Sequence, residues 1–412
     1  MRVRTAILST VLAALSACAC DTVPDSAVTD CNEEIVPGAA ATDILFVVDD
    51  SGSMAEEQSA LSQNLSTFID ALLGAPIQLD LRIGVTNTSV HGYPAANRTT
   101  YGSSGPSAGV PYPAGAVVAI LQDPQGIGST GKFVYGFDPV SGTTTWGGAR
   151  ILANGADLAG DFKANVLQGT WGSGKEQPLA AMKLALEKST AGGVNFGFQR
   201  AGARLAVVIL TDEDDCSSPV GSITNDADCH APSPNLDPLS DYVTYLDSTA
   251  SIAQGGPPIV ALIAGFDASG VPSLCRGTDP SFVPTTASAA AALPNRLNAF
   301  LGALDTAAPG RTFKDSICRN FGTSLLAIAN AIVPQTLTLE RAPADWQMIA
   351  VALNRNGSSV ACPLALAGSP GAATSGAVYT PPQAGAAATL TFQNACHLGI
   401  SDRIDLRIVC AR

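Results

Sequence analysis

Basic residues are scarce in this sequence, and their scarcity excludes one large class of partners. Lysine and arginine together number 22 against 35 aspartates and glutamates, which gives a formal net charge of −13 at pH 7. The sequence contains no cluster of basic residues that could neutralise the phosphates of DNA or RNA. We therefore expect no nucleic acid among the partners of the protein.

Charged residues of either sign are also few, at 14% of the chain, whereas there are 40 glycines and 27 prolines. The hydrophobic fraction of 46% is nevertheless sufficient for a buried core. This composition indicates a folded extracytoplasmic protein with long irregular loops, not a disordered chain. The length of 412 residues allows two domains of ordinary size.

The residues that most often serve as general bases or zinc ligands are few and scattered. The histidines His91, His230 and His397 lie far apart in the sequence, and no two cysteines have the CxxC spacing of a zinc site. Each histidine is more simply explained as a surface or packing residue than as a base. We therefore expect no catalytic residues, and we predict that the protein is not an enzyme.

Residues 1–17 have the features of an export signal. Arg2 and Arg4 precede an apolar run that is too short to cross a bilayer as a helix. The run ends in the four residues Leu15-Ser16-Ala17-Cys18, which resemble the lipobox of bacterial lipoproteins. The resemblance implies cleavage before Cys18 and attachment of lipid to its sulfur. The alternative is an ordinary cleaved signal that leaves Cys18 and Cys20 as plain thiols.

No later stretch of the sequence reaches the length of a membrane helix, so an association with the membrane would depend on the lipid. The resemblance implies a location in the bacterial cell envelope, with the protein lipid-anchored at the outer membrane or cell surface, or on the periplasmic side.

The remaining cysteines fit an oxidising compartment, where disulfides are the usual state. Apart from Cys18 they number nine: Cys20, Cys31, Cys216, Cys229, Cys275, Cys318, Cys362, Cys396 and Cys410. Cys216 and Cys229 flank one loop and are predicted to pair, and Cys275 with Cys318 is a second predicted pair. The odd number leaves one thiol over, unless the lipobox interpretation is wrong.

The chain from 42 to 333 has the pattern of an α/β domain. Three apolar runs, Asp43–Val48, Leu205–Leu210 and Ile259–Ile263, are typical of strands buried on both faces of a parallel sheet. Helical patterns alternate with them, so we predict a doubly wound, mostly parallel open sheet covered on both sides. Residues 18–41 ahead of this domain, rich in small and acidic residues, are predicted to form a tether.

Two further regions differ from this pattern. Residues 86–155 are rich in Gly, Ser, Thr and Pro and are predicted to be a long insertion with one short strand at Lys132–Gly136. Its aromatic residues are either ligand contacts or buried packing residues: Tyr93, Tyr101, Tyr112 and Trp146. Residues 334–412 show short alternating stretches and three cysteines, which predict a small antiparallel β appendage held by a disulfide.

The loop after the first apolar run carries the chemistry. Its sequence is Asp49-Asp50-Ser51-Gly52-Ser53-Met54, and a helical pattern follows. A carboxylate and two hydroxyls at alternating positions can converge on one Mg²⁺, which prefers oxygen ligands in octahedral geometry. Ligands of open α/β sheets bind beyond the carboxyl ends of the strands, where this loop lies. The run resembles the first metal loop of von Willebrand factor A-type domains.

The family places two more loops at its metal ion-dependent adhesion site. The run ending in Thr211-Asp212 resembles the third loop, although acidic residues at 213–215 replace the usual glycine and leave a second cation nearby as an open alternative. The Gly-rich turn at 169–174 resembles the second loop, where Ser173 fits best and Thr170 is the alternative.

The resemblance implies a cation, Mg²⁺ or Ca²⁺, held by five residues: Asp49, Ser51, Ser53, Ser173 and Asp212. It further implies adhesion to a protein ligand that offers a carboxylate to the ion. Two other interpretations remain open. In one, the protein is a structural envelope component stabilised by the ion; in the other, it is a metal-dependent hydrolase that uses the acidic loop at Asp212.

Overall fold

A computed structural model describes most of the chain. The described residues are 35–88, 90, 100–101, 110–111, 151–155, 157–167, 174–193, 195–219, 229, 234–253, 256–267, 269–274, 292–319 and 321–409. The proposed lipidation site Cys18 and the predicted strand Lys132–Gly136 lie outside them, as do Tyr93, Tyr112 and Trp146. No helix among the described residues is long and apolar enough to cross a membrane.

The α/β part begins with a strand that the apolar run 43–48 predicts. Its strands are β2 Ala40–Val48, β3 Leu79–Asn87, β6 Leu152–Ala153, β7 Arg204–Leu210, β8 Ile259–Ala264 and β9 Thr312–Ser316. Its helices are α1 Ala55–Leu73, α2 Leu158–Val166, α3 Pro178–Glu187, α4 Leu239–Ala253, α5 Asn295–Ala307 and α6 Phe321–Ile332. Three very short strands accompany them: β1 Val36–Pro37, β4 Thr100–Tyr101 and β5 Val110–Pro111.

The six strands of the α/β part form one sheet in the order β6-β3-β2-β7-β8-β9. All neighbouring pairs are parallel except β6 with β3, which is antiparallel at one edge. β2 is central, and Phe46 lies between Val85 of β3 and Val208 of β7. The predicted doubly wound, mostly parallel α/β sheet is confirmed.

Helices cover both faces of this sheet, which is why its strands are apolar on both sides. On one face Phe46 packs against Phe68 of α1 and Phe162 of α2, with ring centroids 5.8 and 4.7 Å away, respectively. α6 completes that layer. On the other face Leu45 and Val47 belong to a core that includes side chains of α3, α4 and α5. The parallel strands thus present their carboxyl ends at one edge, between the two helix layers.

The region after α6 is built of β-strands, as the alternating stretches predict. They are β10 Thr336–Arg341, β11 Ile349–Arg355, β12 Ser358–Ala361, β13 Leu364–Leu366, β14 Ala377–Thr380, β15 Ala388–Phe392 and β16 Arg403–Ile408. A five-stranded sheet has the order β1-β10-β15-β14-β13, and a three-stranded sheet has the order β12-β11-β16. The pairs are antiparallel apart from β13 with β14, which is parallel. The predicted antiparallel appendage is therefore confirmed, with this one parallel pair added.

Two disulfides lie within the described residues. Cys216 and Cys229 are bonded with their Cα atoms 5.6 Å apart, which confirms that predicted pair. Cys362 and Cys396 are bonded within the β region, with their Cα atoms 5.9 Å apart. Cys318 is also disulfide-bonded. Its predicted partner, Cys275, lies outside the described residues.

Candidate functional site

The first and third predicted loops meet at the carboxyl edge of the sheet. They meet because β2 and β7 are hydrogen-bonded neighbours that run in the same direction. At their ends the backbone N–H of Asp49 donates to the carbonyl of Leu210 at 2.9 Å. Asp49 and Asp212 therefore emerge side by side from adjacent strands, although 163 positions separate them in the sequence.

Asp49 is fully buried and its carboxylate has a fixed orientation. Its Oδ1 accepts the backbone N–H of Ser51 at 2.8 Å, and its Oδ2 accepts the hydroxyl of Thr211 at 2.6 Å. The side-chain amide of Gln58, on the first turn of α1, donates to the Asp49 carbonyl at 2.7 Å. Burial raises the pKa of Asp49, and the hydrogen bonds from Thr211 and Ser51 act against that rise. Hydroxyl and amide donors thus hold the carboxylate in place.

The two loop hydroxyls and Asp212 complete this group. The Oγ atoms of Ser51 and Ser53 are 3.2 Å apart, and Ser53 is exposed while Ser51 is buried. Asp212 is only 3% exposed, and its Oδ1 has no hydrogen-bond partner among the described residues. Burial raises the pKa of Asp212 to about 7, and the negative charge of Asp49 contributes to the rise. The structure thus brings together four of the five predicted ligands and leaves an unused oxygen among them.

The fifth predicted ligand, Ser173, lies outside the described residues, and so does its alternative, Thr170. The segment that follows them supplies a further carboxylate, which the resemblance to the family's metal loops did not include. Glu176 lies two residues before α3, is fully buried, and belongs to a triple of carboxylates with Asp49 and Asp50. One ligand oxygen of each lies within 4.8 Å of the others.

Only one of the two carboxylate oxygens of Glu176 has a hydrogen-bond partner among the described residues. The hydroxyl of Thr88, just past β3, donates to Oε2 of Glu176 and lies 3.4 Å from Oδ1 of Asp50. Oε1 of Glu176 has no hydrogen-bond partner among the described residues. Burial, together with the negative charges of Asp49 and Asp50, raises the pKa of Glu176 well above its usual range. An acidic residue just ahead of a helix is common, so the only signal in the sequence was its position two residues after the predicted second loop at 169–174.

The acidic residues after Asp212 have a structural role at two helix ends. Oxygens of Asp214 accept the backbone N–H groups of Arg296 and Leu297 at 2.9–3.1 Å, at the start of α5. Oδ1 of Asp215 accepts the N–H of Leu179, at the start of α3, at 3.1 Å. Such carboxylates satisfy backbone donors that a helix leaves without partners. The carboxylates of Asp214 and Asp215 therefore accept hydrogen bonds from the N-terminal backbone amides of these two helices.

The oxygen-rich composition of the edge fits a hard divalent cation. Carboxylates and hydroxyls are the ligands that Mg²⁺ and Ca²⁺ prefer, and Oδ1 of Asp212 and Oε1 of Glu176 have no hydrogen-bond partner among the described residues. Among the described residues no histidine lies at this edge, and His91 and His230 lie outside those residues. His397 lies in the β region, where its carbonyl accepts a hydrogen bond from Arg355 at 2.7 Å.

Comparison with known proteins gives distant structural similarity only. A scan against protein-family models found no match, and a search of curated proteins found none. A von Willebrand factor type A protein from Catenulispora acidiphila is 12% identical with a TM-score of 0.33, covering 92% of this chain and 62% of that one. The pilus adhesin SpaC from Lactobacillus rhamnosus GG, in its open conformation, is 14% identical with a TM-score of 0.34, covering 90% and 39%.

A third similar structure is proximal thread matrix protein 1 from the mussel byssus, 11% identical with a TM-score of 0.34 over 72% of this chain. The chain spans 49% of the length of that protein, and less than two thirds of each of the three structures. Neither a ligand nor an activity of this chain follows from similarity at this level.

Proposed function

We propose that this protein is an extracytoplasmic binding protein that recognises an acidic group of a protein ligand through a divalent cation. The cation binds at the carboxyl edge of the sheet, between Asp49, Ser51, Ser53 and Asp212, with Ser173 as the remaining predicted ligand. The observation that carries the proposal is the unpartnered Oδ1 of Asp212 beside the Asp49 carboxylate.

The burial of these carboxylates supports a cation. A buried carboxylate is costly unless an opposite charge or several hydrogen bonds compensate it. The groups of Thr211 and Ser51 that donate hydrogen bonds to Asp49 carry no net charge. A divalent cation would supply the missing positive charge.

The exposure of the loop supports recognition from outside. Ser53 and Gly52 are exposed, whereas Asp49 and Ser51 lie beneath them. A cation at this depth would be reached from solvent over Ser53, so one coordination position can be filled by a carboxylate of the partner. This arrangement needs no catalytic step, and we propose none.

The compartment is part of the same proposal. Disulfides such as Cys216–Cys229 and Cys362–Cys396 persist in oxidising compartments. Together with the export signal predicted at residues 1–17, they support an extracytoplasmic location. The resemblance of Leu15-Ser16-Ala17-Cys18 to a lipobox is what supports a bacterial envelope protein tethered by lipid on Cys18.

A second candidate function is structural. The additional buried carboxylates of Asp50 and Glu176 favour it, because each adds negative charge that a cation would neutralise. A more fully neutralised cation stabilises the loops but attracts an outside carboxylate less strongly.

The experiment uses the full chain, purified with and without the Asp212→Asn substitution. Calorimetric titration with Mg²⁺ and Ca²⁺ is expected to show binding that the substitution weakens by about tenfold or more. Capture of envelope proteins in Mg²⁺ is then compared with capture in EDTA. Asp405→Asn, at an exposed acid of the β region, is the matched control.

Each outcome has a separate meaning. Cation-dependent capture that Asp212→Asn abolishes supports recognition through the ion. Cation binding that raises the melting temperature without any cation-dependent capture favours the structural role. Wild-type affinity for both cations in Asp212→Asn contradicts the proposed site.

A further inference from the structure

Two groups of cation-type ligands meet at Asp49. The first group contains the hydroxyls of Ser51 and Ser53 and the carboxylate of Asp212, which is hydrogen-bonded to Ser53. The second group contains Asp50, Glu176 and the hydroxyl of Thr88, which bonds Glu176 and approaches Asp50. Both groups are built from oxygens, and both lie next to the Asp49 carboxylate.

Each group contains one buried carboxylate oxygen without a hydrogen-bond partner among the described residues. In the first group it is Oδ1 of Asp212, and in the second it is Oε1 of Glu176. Glu176 is fully buried, and leaving such an oxygen without a partner is costly. The second group, like the first, therefore contains a buried carboxylate oxygen that a bound cation would stabilise.

A single cation cannot coordinate both unpartnered oxygens. Hard cations bind oxygens at about 2.0–2.6 Å, so the ligand atoms of one ion lie within roughly 5 Å of each other. Ligand oxygens of Asp49, Asp50 and Glu176 satisfy this limit, since all lie within 4.8 Å of one another. Asp212 is not a member of this triple. An ion centred among the three carboxylates would leave the Asp212 oxygen without a partner.

We propose that a second divalent cation binds between Asp50, Glu176 and the hydroxyl of Thr88, and that the Asp49 carboxylate lies between the two cations. This second site lies at a different place from the one that the sequence suggested. Acidic residues 213–215 pointed to the loop after Asp212, but the carboxylates of Asp214 and Asp215 are bound to helix ends.

The concentration of negative charge at this edge favours more than one ion. Besides the carboxylates of Asp49, Asp50, Glu176 and Asp212, the charge of Glu213 acts on Glu176 and the charge of Glu57 acts on Asp212. Ca²⁺ suits the second site better than Mg²⁺, because it accepts six to eight oxygens in flexible geometry and loses its water more readily. All three carboxylates of the triple are fully buried, so an ion there would keep few waters.

The opposing explanation is a proton in place of the ion. Asp49 and Glu176 are close enough to share a hydrogen bond, and two carboxyl groups that share one proton need no cation. In that case the second group would bind no metal at neutral pH.

Equilibrium dialysis of the full chain against Ca²⁺, with the bound metal measured by elemental analysis, separates the two explanations. The expected result is about two Ca²⁺ per chain in the wild type and about one in Glu176→Gln, which keeps the shape and removes the charge. Asp405→Asn, outside both groups, is expected to keep about two. One ion in the wild type together with an unchanged count in Glu176→Gln overturns the proposal.

Two further variants keep the test informative. Thr88→Val removes the hydroxyl with little change in shape, and it is expected to weaken the second ion by about tenfold without unfolding the chain. This inference rests on the proposed function only for the first ion, which Asp212→Asn is expected to remove. If Asp212→Asn retains every ion while Glu176→Gln loses one, the second site stands and the proposed recognition site fails.

Discussion

Arg296 donates from Nε to Oδ2 of Asp215 at 2.8 Å, and the pair joins the loop after Asp212 to the first turn of α5. Asp215 is fully buried and the Arg296 side chain is 16% exposed. A second guanidinium nitrogen of Arg296 donates to the carbonyl of Asp237 at 2.5 Å, ahead of α4. One arginine therefore connects the starts of two helices to the loop that positions Asp212.

Replacing this arginine is expected to destabilise the fold. In Arg296→Met the buried carboxylate of Asp215 loses its charge partner, a change that typically costs about 3–5 kcal/mol in the free energy of unfolding. Urea unfolding measures the loss. Arg407→Met is the control, because its pair with Asp405 is exposed and we expect no measurable change. Equal stability of the two variants would contradict this role of Arg296.

The ion pair between Arg355 and Asp402 predicts acid sensitivity of the β region. Hydrogen bonds from Arg355, at 2.7 and 2.9 Å, hold the pKa of Asp402 below its ordinary value of 3.8. A carboxyl group with a lowered pKa in the folded state stabilises the fold above its unfolded pKa, and this contribution is lost as the pH falls through the folded value. Asp402→Asn should therefore be less stable than the wild type at pH 7.

The difference is expected to shrink when unfolding is measured well below pH 3.8, where both chains lack the charge. The two chains are compared by thermal unfolding across that range. A gap that stays constant between neutral and acidic pH would show that the charge of Asp402 is irrelevant.

The disulfide Cys362–Cys396 closes a loop between residues 34 positions apart. By loop-closure entropy, a crosslink of this span stabilises the folded state by about 4 kcal/mol. We expect Cys362→Ser combined with Cys396→Ser to lower the midpoint of urea unfolding. The matched comparison is the wild type under a reducing agent, and an unchanged midpoint in the double variant would refute the expectation.

Removing cations is expected to lower the melting temperature. A ligand present at about 100 times its dissociation constant stabilises the folded state by about 2.7 kcal/mol. We therefore expect wild-type chain in Ca²⁺ to melt at a higher temperature than the same chain in EDTA, as measured by calorimetry. Asp49→Asn should reduce this difference because it removes charge beside both groups of ligands. Identical melting curves in Ca²⁺ and EDTA would argue against any structurally important ion.

The sequence predicted those parts of the site that depend on where strands end. An apolar run ending in an acidic residue predicts where a strand stops, and parallel strands stop at one edge. Which two strands are neighbours does not follow from such runs, and the meeting of Asp49 and Asp212 was expected from the resemblance of their loops to the first and third metal loops of von Willebrand factor A-type domains. Ser173, by contrast, stays a prediction.

The parts that the sequence did not reveal depend on distant partners. Asp214 bonds an amide 82 positions away, and Asp215 bonds one 36 positions away. Residue types alone do not show which helix ends will approach a loop. Glu176 was missed for a related reason, since its meeting with Asp50 and Thr88 depends on how the segment before α3 turns into the sheet edge.

The short strand β1 joins the start of the described chain to the β region. Val36 and Pro37 pair with β10 in the β region, and the chain then enters β2 at Ala40. β2 runs nine residues to Val48, which is about 30 Å at 3.3 Å per residue. The edge that carries Asp49 and Asp212 therefore lies at the opposite end of β2 from the point where the chain enters the sheet.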